Sequence, residues 1–543
     1  MDFDLVITNG TLIDGTGRPR QRADLGLNDG KITTISKGEP LTGRQVLDAT
    51  GLVVSPGFID IHSHADWILP LPQHDQILAP LVLQGITTVV TGNCGFSPAP
   101  VTETAKGAVN GTAAMLRDRD FPYRWRSFSE FLDTLTTDGL LLNAAFLVGH
   151  GTLRSLVLGE RADAPTLTEL DSLRQLTRQA IKDGAFGFSV GLAYAPGVFA
   201  RNDELLALLR EVAQQGAIFT AHGRAYTWVS PFYTPMFFGA PHNLRSVNEL
   251  IDLARLAGVR LQLSHQIFVG RRTWRTYPAV LGAIERAVDS GVDVAFDAYP
   301  YTLGNSTINV VFPDWFLDGF EKNINDPSCL RRLKRDMDLL ILALGMGYTD
   351  LRLMSVDDST LRKYEGLDFA TIARSLNMPT FDAYVHVARQ SNGKARLLLG
   401  TYSGDDRNEK PLQAALSNPR CAFMTDTILV SRGTPNPASF GNFPRILGRY
   451  SRDLGLFTLE EAIRRMTSFP AERIGLKDTG RLAEGYWADL VLFDPLTIAD
   501  KTTPEHADTP PSGIHAVLIS GEVIAQNGQV TSGARFGRVL RRK

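Results

Sequence analysis

Seven side chains of the kinds that bind metal ions stand out in this sequence, because each follows an apolar run. They are His62, His64, Cys94, His150, His222, His265 and Asp426. His62 and His64 flank one serine in the stretch GFIDIHSHADW, and at the end of a β-strand such alternate side chains leave from the same face. Two imidazoles aimed into one space are a simple way to give a metal ion two nitrogen ligands. The spacing therefore indicates a metal site, and the alternative for this pair alone is a chance pairing or a polar patch.

Three of these residues also have a structural alternative. Cys94 precedes a glycine in TGNCGFSP and is suited to be a thiolate ligand, although a buried cysteine is often a core residue. His150 in VGHGTLR fits a hydrogen-bonding role behind the metal as well as it fits ligation. Asp426 is the acid placed where a general base is needed, and the alternative is a cap on the following turn.

Eight apolar runs of strand length occur in the middle of the chain, and six of them contain or precede these residues. They cover 52–62, 86–94, 144–151, 184–192, 217–223, 259–265, 293–301 and 421–426. Segments with the apolar spacing of amphipathic helices lie between them, such as DELLALLREVAQQG. Apolar strands that alternate with helices predict an α/β protein with a parallel sheet, and eight of them predict a closed (β/α)8 barrel of the TIM type. The polar strand ends then meet at one site.

The segments outside this alternation predict the rest of the domain organisation. Residues 1–52 and 480–543 contain short alternating strands broken by glycine turns, which predicts one small β-sandwich domain built from both termini. Residues 53–479 form the predicted barrel domain. The connection at 302–420, between the seventh and eighth strands, is far longer than a normal barrel loop and predicts an inserted lid or substrate-pocket subdomain.

The composition of the 543 residues excludes several classes of protein. The chain is 43% hydrophobic and 21% charged with a formal net charge of −2, which gives no basic footprint for nucleic acid or for a membrane surface. Three cysteines are too few for a disulfide framework. No apolar run approaches the about 18–20 residues of a membrane helix, and the first residues do not read as a signal peptide. We therefore expect a cytoplasmic protein.

Several motifs occur in an order that is typical of one family of hydrolases. They are PGFIDIHSHAD, TGNCGFSPAP, GAFGFSVGLAYAPG, TAHGR, LSH, FDAYPYTLGNST, SFGNFPRILGRY and EEAIRRMTSFPAERIGLKDTGRLAEGYWADLVLFDP. With them the chain resembles the amidohydrolase superfamily, and within it the N-acyl-D-amino-acid deacylase (D-aminoacylase) family, almost from end to end. The resemblance implies a zinc-dependent hydrolase that cleaves the C–N bond of a small-molecule amide.

The resemblance also implies two metal positions. Cys94, His222 and His265 correspond to the ligands of a tight zinc ion. A second, weaker position lies among His62, His64 and Asp426. No lysine ends the fourth strand, where related amidohydrolases place a carboxylated bridging lysine, so the thiolate of Cys94 takes over the bridging role.

The chemistry implied by the resemblance is the hydrolysis of an amide by activated water. Zinc lowers the pKa of a bound water and polarises the substrate carbonyl. Asp426 then accepts the proton of the water and returns it to the departing nitrogen, because an amine leaves poorly unless it is protonated. The oxyanion needs a donor besides the metal, and Tyr299 in DAYPY is the first candidate, with Tyr194 as the second.

Two positions depart from the family pattern in a way that concerns the substrate. D-Aminoacylases hold the substrate carboxylate with a lysine two residues after the sixth-strand histidine and with the arginine of a His-Pro-Arg motif. Ile267 stands at the first position, and Asn436 and Ala438 replace the histidine and arginine of the second. That end of the pocket becomes apolar, because carboxylate recognition needs charged donors. Arg224 and Arg432 remain as candidate anion-binding residues.

The segment after His222 is rich in aromatic residues. It contains Tyr226, Trp228, Phe232, Tyr233, Phe237 and Phe238. One interpretation is a pocket for a bulky, weakly polar substrate, with Trp228 in contact with it. The other is that these side chains fill a core or a subunit interface, which leaves a homo-oligomer open.

The leading hypothesis is therefore a zinc amidohydrolase that cleaves a linear amide carrying a bulky apolar or aromatic group. An N-acyl-D-amino-acid deacylase proper and a cyclic-amide hydrolase of the hydantoinase or dihydroorotase kind are the alternatives, because the same metal chemistry serves them. A catalytically inactive relative that acts as a scaffold is a more remote alternative, since all the expected ligand types and Asp426 are present.

Overall fold

The computed structural model describes residues 2–117, 121–234, 236, 238–429, 432–503 and 506–543, and strands and helices alternate through most of them. In chain order the described strands are β1 (Phe3–Thr8), β2 (Thr11–Leu12), β3 (Gln21–Arg22), β4 (Asp24–Asn28), β5 (Lys31–Ser36), β6 (Gly43–Asp48), β7 (Val53–Pro56), β8 (Phe58–Asp60), β9 (Ile86–Thr91), β10 (Asn143–Gly149), β11 (Gly187–Gly191), β12 (Ile218–His222), β13 (Arg260–Leu263), β14 (Val294–Ala298), β15 (Gly304–Thr307), β16 (Leu351–Ser355), β17 (Arg396–Leu399), β18 (Cys421–Phe423), β19 (Leu490–Phe493), β20 (Ile514–Ile519), β21 (Glu522–Gln526) and β22 (Gln529–Val530).

The helices lie mainly between the strands of the central sheet. They are α1 (His74–Val82), α2 (Lys106–Thr112), α3 (Phe128–Asp138), α4 (His150–Leu158), α5 (Leu167–Lys182), α6 (Asn202–Gln214), α7 (His242–Ala257), α8 (Tyr277–Asp289), α9 (Asp314–Leu317), α10 (Phe320–Asn323), α11 (Pro327–Leu344), α12 (Phe369–Leu376), α13 (Thr380–Gln390), α14 (Lys410–Ser417), α15 (Ala438–Arg445), α16 (Leu459–Met466) and α17 (Ser468–Ile474). A π-helical segment, Ile446–Asp453, continues α15. None of the described helices is both long enough and apolar enough to cross a membrane.

The central sheet is a parallel barrel. Its strand order is β8-β9-β10-β11-β12-β13-β14-β18, and each neighbouring pair is parallel. The two edge strands meet just beyond their ends, where Ser63 and Thr427 form a parallel bridge and the Asp426 N–H donates to the His62 carbonyl oxygen at 3.0 Å. The predicted (β/α)8 barrel with its eight strands is confirmed, and all the strands present their carboxyl ends on the same side.

The first predicted strand, 52–62, is two strands in the structure. Residues Val53–Pro56 form β7, which pairs antiparallel with β19 in the terminal sheets, and the barrel strand β8 begins only at Phe58. Gly57 separates them, and a Cβ atom there would lie 2.1 Å from Oγ1 of Thr87. Only a glycine lets the backbone pass this close to Thr87 as the chain leaves one sheet for another. The terminal sheets thus extend four residues beyond the predicted boundary at 52.

The two terminal segments pair into the predicted sandwich. One sheet has the order β5-β4-β1-β6 and the other the order β22-β21-β20-β19-β7-β2-β3. Strand β19 shows why the sequence ADLVLFDP is apolar on both faces. Leu490 and Leu492 pack inside the sandwich, whereas Val491 and Phe493 pack on the barrel core.

The insertion between β14 and β18 has a small sheet of its own. Strands β15, β17 and β16 pair antiparallel in that order, and helices α9 to α13 accompany them. The last helix before β18 is α14, which lies against α8 as a barrel helix does. The insertion contacts the site end of the barrel, since Val269 and Tyr402 form an antiparallel bridge.

The C-terminal tail closes the other end of the barrel. Gly537 and Val539 bridge to Leu140 and Ala144 where β10 begins. The Leu540 N–H also donates to the Ala144 carbonyl oxygen at 2.8 Å. The amino ends of the strands are therefore covered, and the carboxyl ends are left for a site.

Candidate metal centre and active site

Six of the seven predicted metal-ligand side chains converge at the carboxyl ends of the barrel strands. They end or follow five strands, β8, β9, β12, β13 and β18, and are His62, His64, Cys94, His222, His265 and Asp426. Three overlapping triads among them, His62–His64–Cys94, Cys94–His222–His265 and His62–His265–Asp426, have ligand atoms within 4.8 Å of one another. The five histidine and cysteine residues are buried, and the Asp426 side chain is 18% exposed. The carboxylate therefore lies on the accessible side of the cluster.

The cysteine and two of the histidines form a compact donor set. The Cys94 Sγ lies 3.7 Å from His222 Nδ1 and 3.5 Å from His265 Nε2. A tetrahedral zinc ion with bonds of about 2.3 Å to sulfur and about 2.05 Å to nitrogen places such atoms about 3.6 Å apart. The two nitrogens are 2.8 Å apart, about 0.5 Å closer than in a tetrahedral site of that kind. One thiolate and two imidazoles in this geometry fit a zinc ion.

The second group of ligand types lies on the other side of the same sulfur. The Cys94 Sγ is 3.3 Å from His62 Nε2, and that nitrogen is 3.5 Å from Asp426 Oδ1. His64 Nε2 is also 3.5 Å from Asp426 Oδ1. The sulfur thus stands between the two groups of nitrogens, which is where a bridging ligand would stand.

The surroundings of Cys94 and His222 favour the protonation states that these two residues need as metal ligands. Burial acts to raise the pKa of the Cys94 thiol, but the neighbouring His62 charge and three imidazole contacts bring it well below its ordinary value. Burial, together with the charge of the adjacent His265, lowers the pKa of His222 to about 4. A metal binds the thiolate and the neutral imidazole, so both groups are in the required form near neutral pH.

Asp426 is held in its ionised form. Burial acts to raise its pKa, but the hydrogen bond from His64 and the charges of three histidines lower it below the ordinary value of an aspartate. Against the opposing effect of burial, the contacts with Asp426 and Cys94 raise the pKa of His64 to about 9. An ionised carboxylate on the open side of the cluster is able to accept a proton.

Three of the six residues have left-handed backbone conformations. The φ angles are 54° at Cys94, 31° at His265 and 52° at Asp426. Each such conformation costs a non-glycine residue about 1–3 kcal/mol and persists only when its surroundings impose it. Hydrogen bonds do so at two of them, since the His265 N–H donates to Asp297 Oδ1 at 2.6 Å and the Asp426 N–H donates to the His62 carbonyl.

Asp297 is an important residue that the sequence analysis missed. It lies on β14, its Oδ1 is 3.5 Å from His62 Nδ1, and its Oδ2 accepts a hydrogen bond from Gln262 Nε2 at 3.0 Å. It therefore orients one ligand through the ring and another, His265, through the backbone. The available signal was an acidic residue inside the buried strand VAFDA, because a buried charge requires partners.

The two predicted oxyanion donors both lie near the cluster. The Tyr194 ring is centred 4.5 Å from the His222 ring and 5.4 Å from the Phe96 ring. Tyr299 is buried, and burial raises its pKa well above the ordinary value, with Asp426 and Tyr402 raising it further. Burial likewise raises the pKa of Tyr194. Both hydroxyls stay protonated and are able to donate.

Three predicted substrate contacts have hydrogen-bond partners within the protein. The Arg224 guanidinium pairs with Glu249 at 3.0 Å and donates to the carbonyl oxygens of Val198 at 3.1 Å and Ala200 at 2.6 Å. Trp228 donates from its indole to the Ala343 carbonyl at 2.7 Å, so it anchors its loop to α11. The buried Asn436 accepts from the Ala438 N–H at 3.0 Å, at the start of α15. Sequence spacing could not show these long-range partners.

The predicted aromatic segment does not act as one surface. Tyr226 packs on the histidines of the cluster, whereas Tyr233 donates to Glu249 at 2.5 Å. Phe232 and Phe238 are 40% and 76% exposed. Phe237 lies outside the described residues. Ile267 is buried and packs in one cluster with Val269, Tyr299 and Tyr301, among others.

His150 lies outside the cluster. It is the first residue of α4 rather than the end of a strand, and its Nε2 is 2.8 Å from Glu204 Oε1. Glu204 also pairs with Arg154 at 2.6 Å, so the three side chains form a buried ionic group. Of the two predicted roles for His150, ligation has no geometric support.

Comparisons with known proteins agree with this arrangement. The family model described as "Amidohydrolase family" matches residues 45–525. D-Aminoacylase of Alcaligenes xylosoxydans xylosoxydans is 33% identical, over 99% of this chain and 98% of the relative. The crystal structure of N-acyl-D-glutamate deacylase from Bordetella bronchiseptica, complexed with zinc and a phosphonate mimic of the tetrahedral intermediate, superposes with a TM-score of 0.81 at 30% identity and covers 100% of both chains.

A further solved structure concerns the metal stoichiometry of a relative. It is a D-aminoacylase whose binuclear metal centre is described as showing one-metal activation and second-metal attenuation. It superposes with a TM-score of 0.80 at 30% identity and covers 99% of this chain and 100% of that chain.

Proposed function

We propose that this chain, which belongs to the amidohydrolase family and is of the D-aminoacylase type, is a zinc-dependent hydrolase of linear amides with a bulky apolar group and no free carboxylate beside the scissile bond. Family membership establishes a hydrolase acting on C–N bonds other than peptide bonds. The zinc, the residue roles and the substrate preference are our proposal.

We assign the tight zinc position to Cys94, His222 and His265. The S–N separations of 3.5 and 3.7 Å support this assignment, and so does the zinc named for the N-acyl-D-glutamate deacylase. The second position lies among His62, His64 and Asp426, and the binuclear centre named for D-aminoacylase supports it. When bound, zinc supplies the electrophile that polarises the substrate carbonyl and acidifies water.

Asp426 is the proposed proton carrier. Its carboxylate is ionised and lies on the open side of the cluster, so it takes the proton of the attacking water. It then delivers that proton to the nitrogen that leaves, which makes the C–N cleavage favourable. Tyr299 is the proposed donor to the oxyanion of the substrate, and Tyr194 is the second candidate, since both hydroxyls are protonated.

The substrate proposal rests on one observation. Among the described residues, no available cation lies at the positions where D-aminoacylases hold the carboxylate of the substrate. Ile267 and Ala438 are buried apolar residues. The guanidinium of Arg224 is occupied by Glu249 and two carbonyls, and that of Arg432 pairs with Asp357 and donates to a backbone carbonyl. A carboxylate held against them would be buried without a partner, which is costly. An apolar group at this end gains from burial instead, because Ile267 packs with Tyr299 and Val269.

The test is a panel of matched amides that differ only in the free carboxylate. We expect N-acyl amino-acid amides and esters with aromatic side chains to be hydrolysed with a higher kcat/KM than the corresponding N-acyl amino acids. Both enantiomers and a hydantoin belong in the panel, since they separate the stereochemical and cyclic-amide alternatives. Protein whose metal has been removed with a chelator is the blank.

Two variants make the panel decisive. The double substitution Ile267→Lys with Ala438→Arg is expected to shift the preference toward free carboxylates, and Ile267→Met is the apolar control that leaves it unchanged. Equal or better hydrolysis of the free acids by the unaltered protein, with no shift in the double variant, would refute the substrate proposal.

A further inference from the structure

Tyr226 touches both histidines of the compact donor set. Its ring centroid lies 4.9 Å from that of His222 and 5.0 Å from that of His265. Its hydroxyl accepts a hydrogen bond from the Gly223 N–H at 3.0 Å and donates to the Ser264 carbonyl oxygen at 3.0 Å. Gly223 directly follows the first histidine, and Ser264 directly precedes the second.

The Tyr226 hydroxyl connects two barrel strands at a point where their backbones are no longer hydrogen-bonded to each other. The paired register of β12 and β13 ends at Ala221 and Leu263. The last backbone hydrogen bond between the strands runs from the Ser264 N–H to the Ala221 carbonyl at 2.9 Å. The two ligand histidines lie beyond it, so the β12–β13 register does not pair them with each other, although His222 pairs with Gly191 of β11 on its other side. A hydrogen-bonded bridge through one phenol hydroxyl joins the two segments there.

The tyrosine is itself fixed from the far side. Its carbonyl oxygen accepts a hydrogen bond from the Val269 N–H at 2.9 Å, four residues beyond His265. The backbone of His265 has a φ angle of 31°, so it does not continue the strand geometry. A side chain that spans both sides of this irregular segment is well placed to hold it.

We propose that Tyr226 is a positioning residue that sets the spacing of His222 and His265 for a metal ion. The inference rests on the proposed zinc site and adds a residue that contacts no metal. Outer partners that orient metal ligands typically contribute about 10–100-fold to metal affinity. The hydroxyl acts on the backbones of both ligand segments, and the ring limits the rotation of both imidazoles.

The first test is Tyr226→Phe, which keeps the ring and removes only the hydroxyl bridge. We expect the zinc affinity, measured by competition with a chromophoric chelator, to fall about 10–100-fold. The visible absorption of the cobalt-substituted protein should shift, because the imidazole positions change. Tyr226→Leu removes the ring as well and should weaken zinc binding further.

Tyr233→Phe is the matched control. The Tyr233 hydroxyl is in the same segment and is hydrogen-bonded to Glu249, but neither its ring nor its hydroxyl contacts a ligand histidine. Its zinc affinity and cobalt spectrum should equal those of the unaltered protein. A Tyr226→Phe protein with unaltered affinity and spectrum would overturn the inference.

Separate measurements of metal binding and of substrate turnover distinguish this inference from the proposed function. If the unaltered protein binds zinc but hydrolyses none of the panel amides, the proposed function fails while the role of Tyr226 is still measured by affinity. If the unaltered protein binds no zinc at all, both are overturned.

Discussion

The two ends of the barrel place polar groups in opposite ways. At the carboxyl end, three ligand-type residues have left-handed backbones, and the Nδ1 atoms of His64 and His265 are buried without a hydrogen-bond partner in the described part of the chain. At the amino end, the buried Asp489 accepts hydrogen bonds from Asn143 Nδ2 at 2.9 Å and from Arg538 Nη2 at 2.5 Å.

The amino-end group is tied further into the fold. Asp489 also accepts from the Ser520 N–H at 2.9 Å, and the Arg538 guanidinium lies 3.7 Å from the centre of the Trp487 ring. The carboxyl end thus has strained backbones beside a cluster of charged groups. At the amino end, Asp489 and Arg538 connect the C-terminal tail, the sandwich and β10. The difference indicates that the carboxyl end is organised for chemistry and the amino end for stability.

The largest effect should come from removing the Cys94 sulfur at the carboxyl end of the barrel. Cys94→Ser replaces the donor that stands between the two groups of histidines, and we expect the bound zinc to be lost. Metal analysis of the purified protein measures this. Cys421→Ser, at a buried cysteine of β18, is the control that should retain zinc. Full zinc content in Cys94→Ser would contradict the assignment of the tight position.

The next effect concerns the proton carrier on the open side. Asp426→Asn should lower kcat by about 10²–10⁴-fold, which is the usual contribution of a general base and acid. The zinc at the tight position should remain, since its three ligands are unchanged. Asp406→Asn, at an exposed acid of the insertion, should have unaltered turnover. Intact amidase activity in Asp426→Asn would refute the proposed mechanism.

The corresponding change at the amino end should affect stability and not turnover. Asp489→Asn removes the charge that compensates Arg538, and breaking such a buried pair costs about 3–5 kcal/mol. We expect about 3 kcal/mol, because 19% of the Arg538 side chain is exposed. Denaturant unfolding measures the loss, while kcat/KM at low temperature should be unchanged. Asp133→Asn, which breaks the exposed pair with Arg541, is the control and should change stability little.

The smallest predicted effect is a pH dependence at the amino end. His74 Nε2 accepts from the Leu141 N–H at 3.2 Å, just before β10, and Nδ1 is 3.0 Å from the Leu71 carbonyl oxygen, so the folded protein needs a neutral imidazole. Burial lowers the pKa of His74 below 6.5, and the charge of Arg535 lowers it further. The unfolded chain therefore binds more protons below about pH 6.5, and stability is lost as the pH falls through that value toward the folded pKa.

The measurement is the unfolding midpoint between pH 7.5 and 5.5. His74→Gln should show a smaller decrease over this interval than the unaltered protein. His515→Gln, at an exposed histidine, should show the same decrease as the unaltered protein. Equal slopes in all three proteins would show that His74 does not contribute.

The fold was predictable because its signals are local. Apolar runs and helical spacing predicted the eight strands and the helices between them, and the barrel is confirmed. The strand prediction was inexact where one stretch of chain contributes strands to two different sheets. The run 52–62 has the length of one strand, and the pairing of β7 with β19 divides it at Gly57, where Pro56-Gly57 was the local signal of a break.

The candidate site was predictable only in its ligand types. Residues at strand ends are placed together by any parallel barrel, which is why six of the seven predicted ligand-type residues meet. His150 looks like the others in sequence, but the helix that it begins turns its ring toward Glu204. Arg224 looks like a free cation, but Glu249 and two carbonyls surround it.

The sequence by itself determined the barrel, the paired termini and the residue types that gather at the strand ends, because apolar periodicity and glycine turns act on neighbouring residues. The tertiary structure decided which partner each polar side chain has. Asp297 beneath His62 and Tyr226 across two strands are contacts between segments far apart in the chain. Such contacts depend on packing over the whole barrel, and no local pattern encodes them.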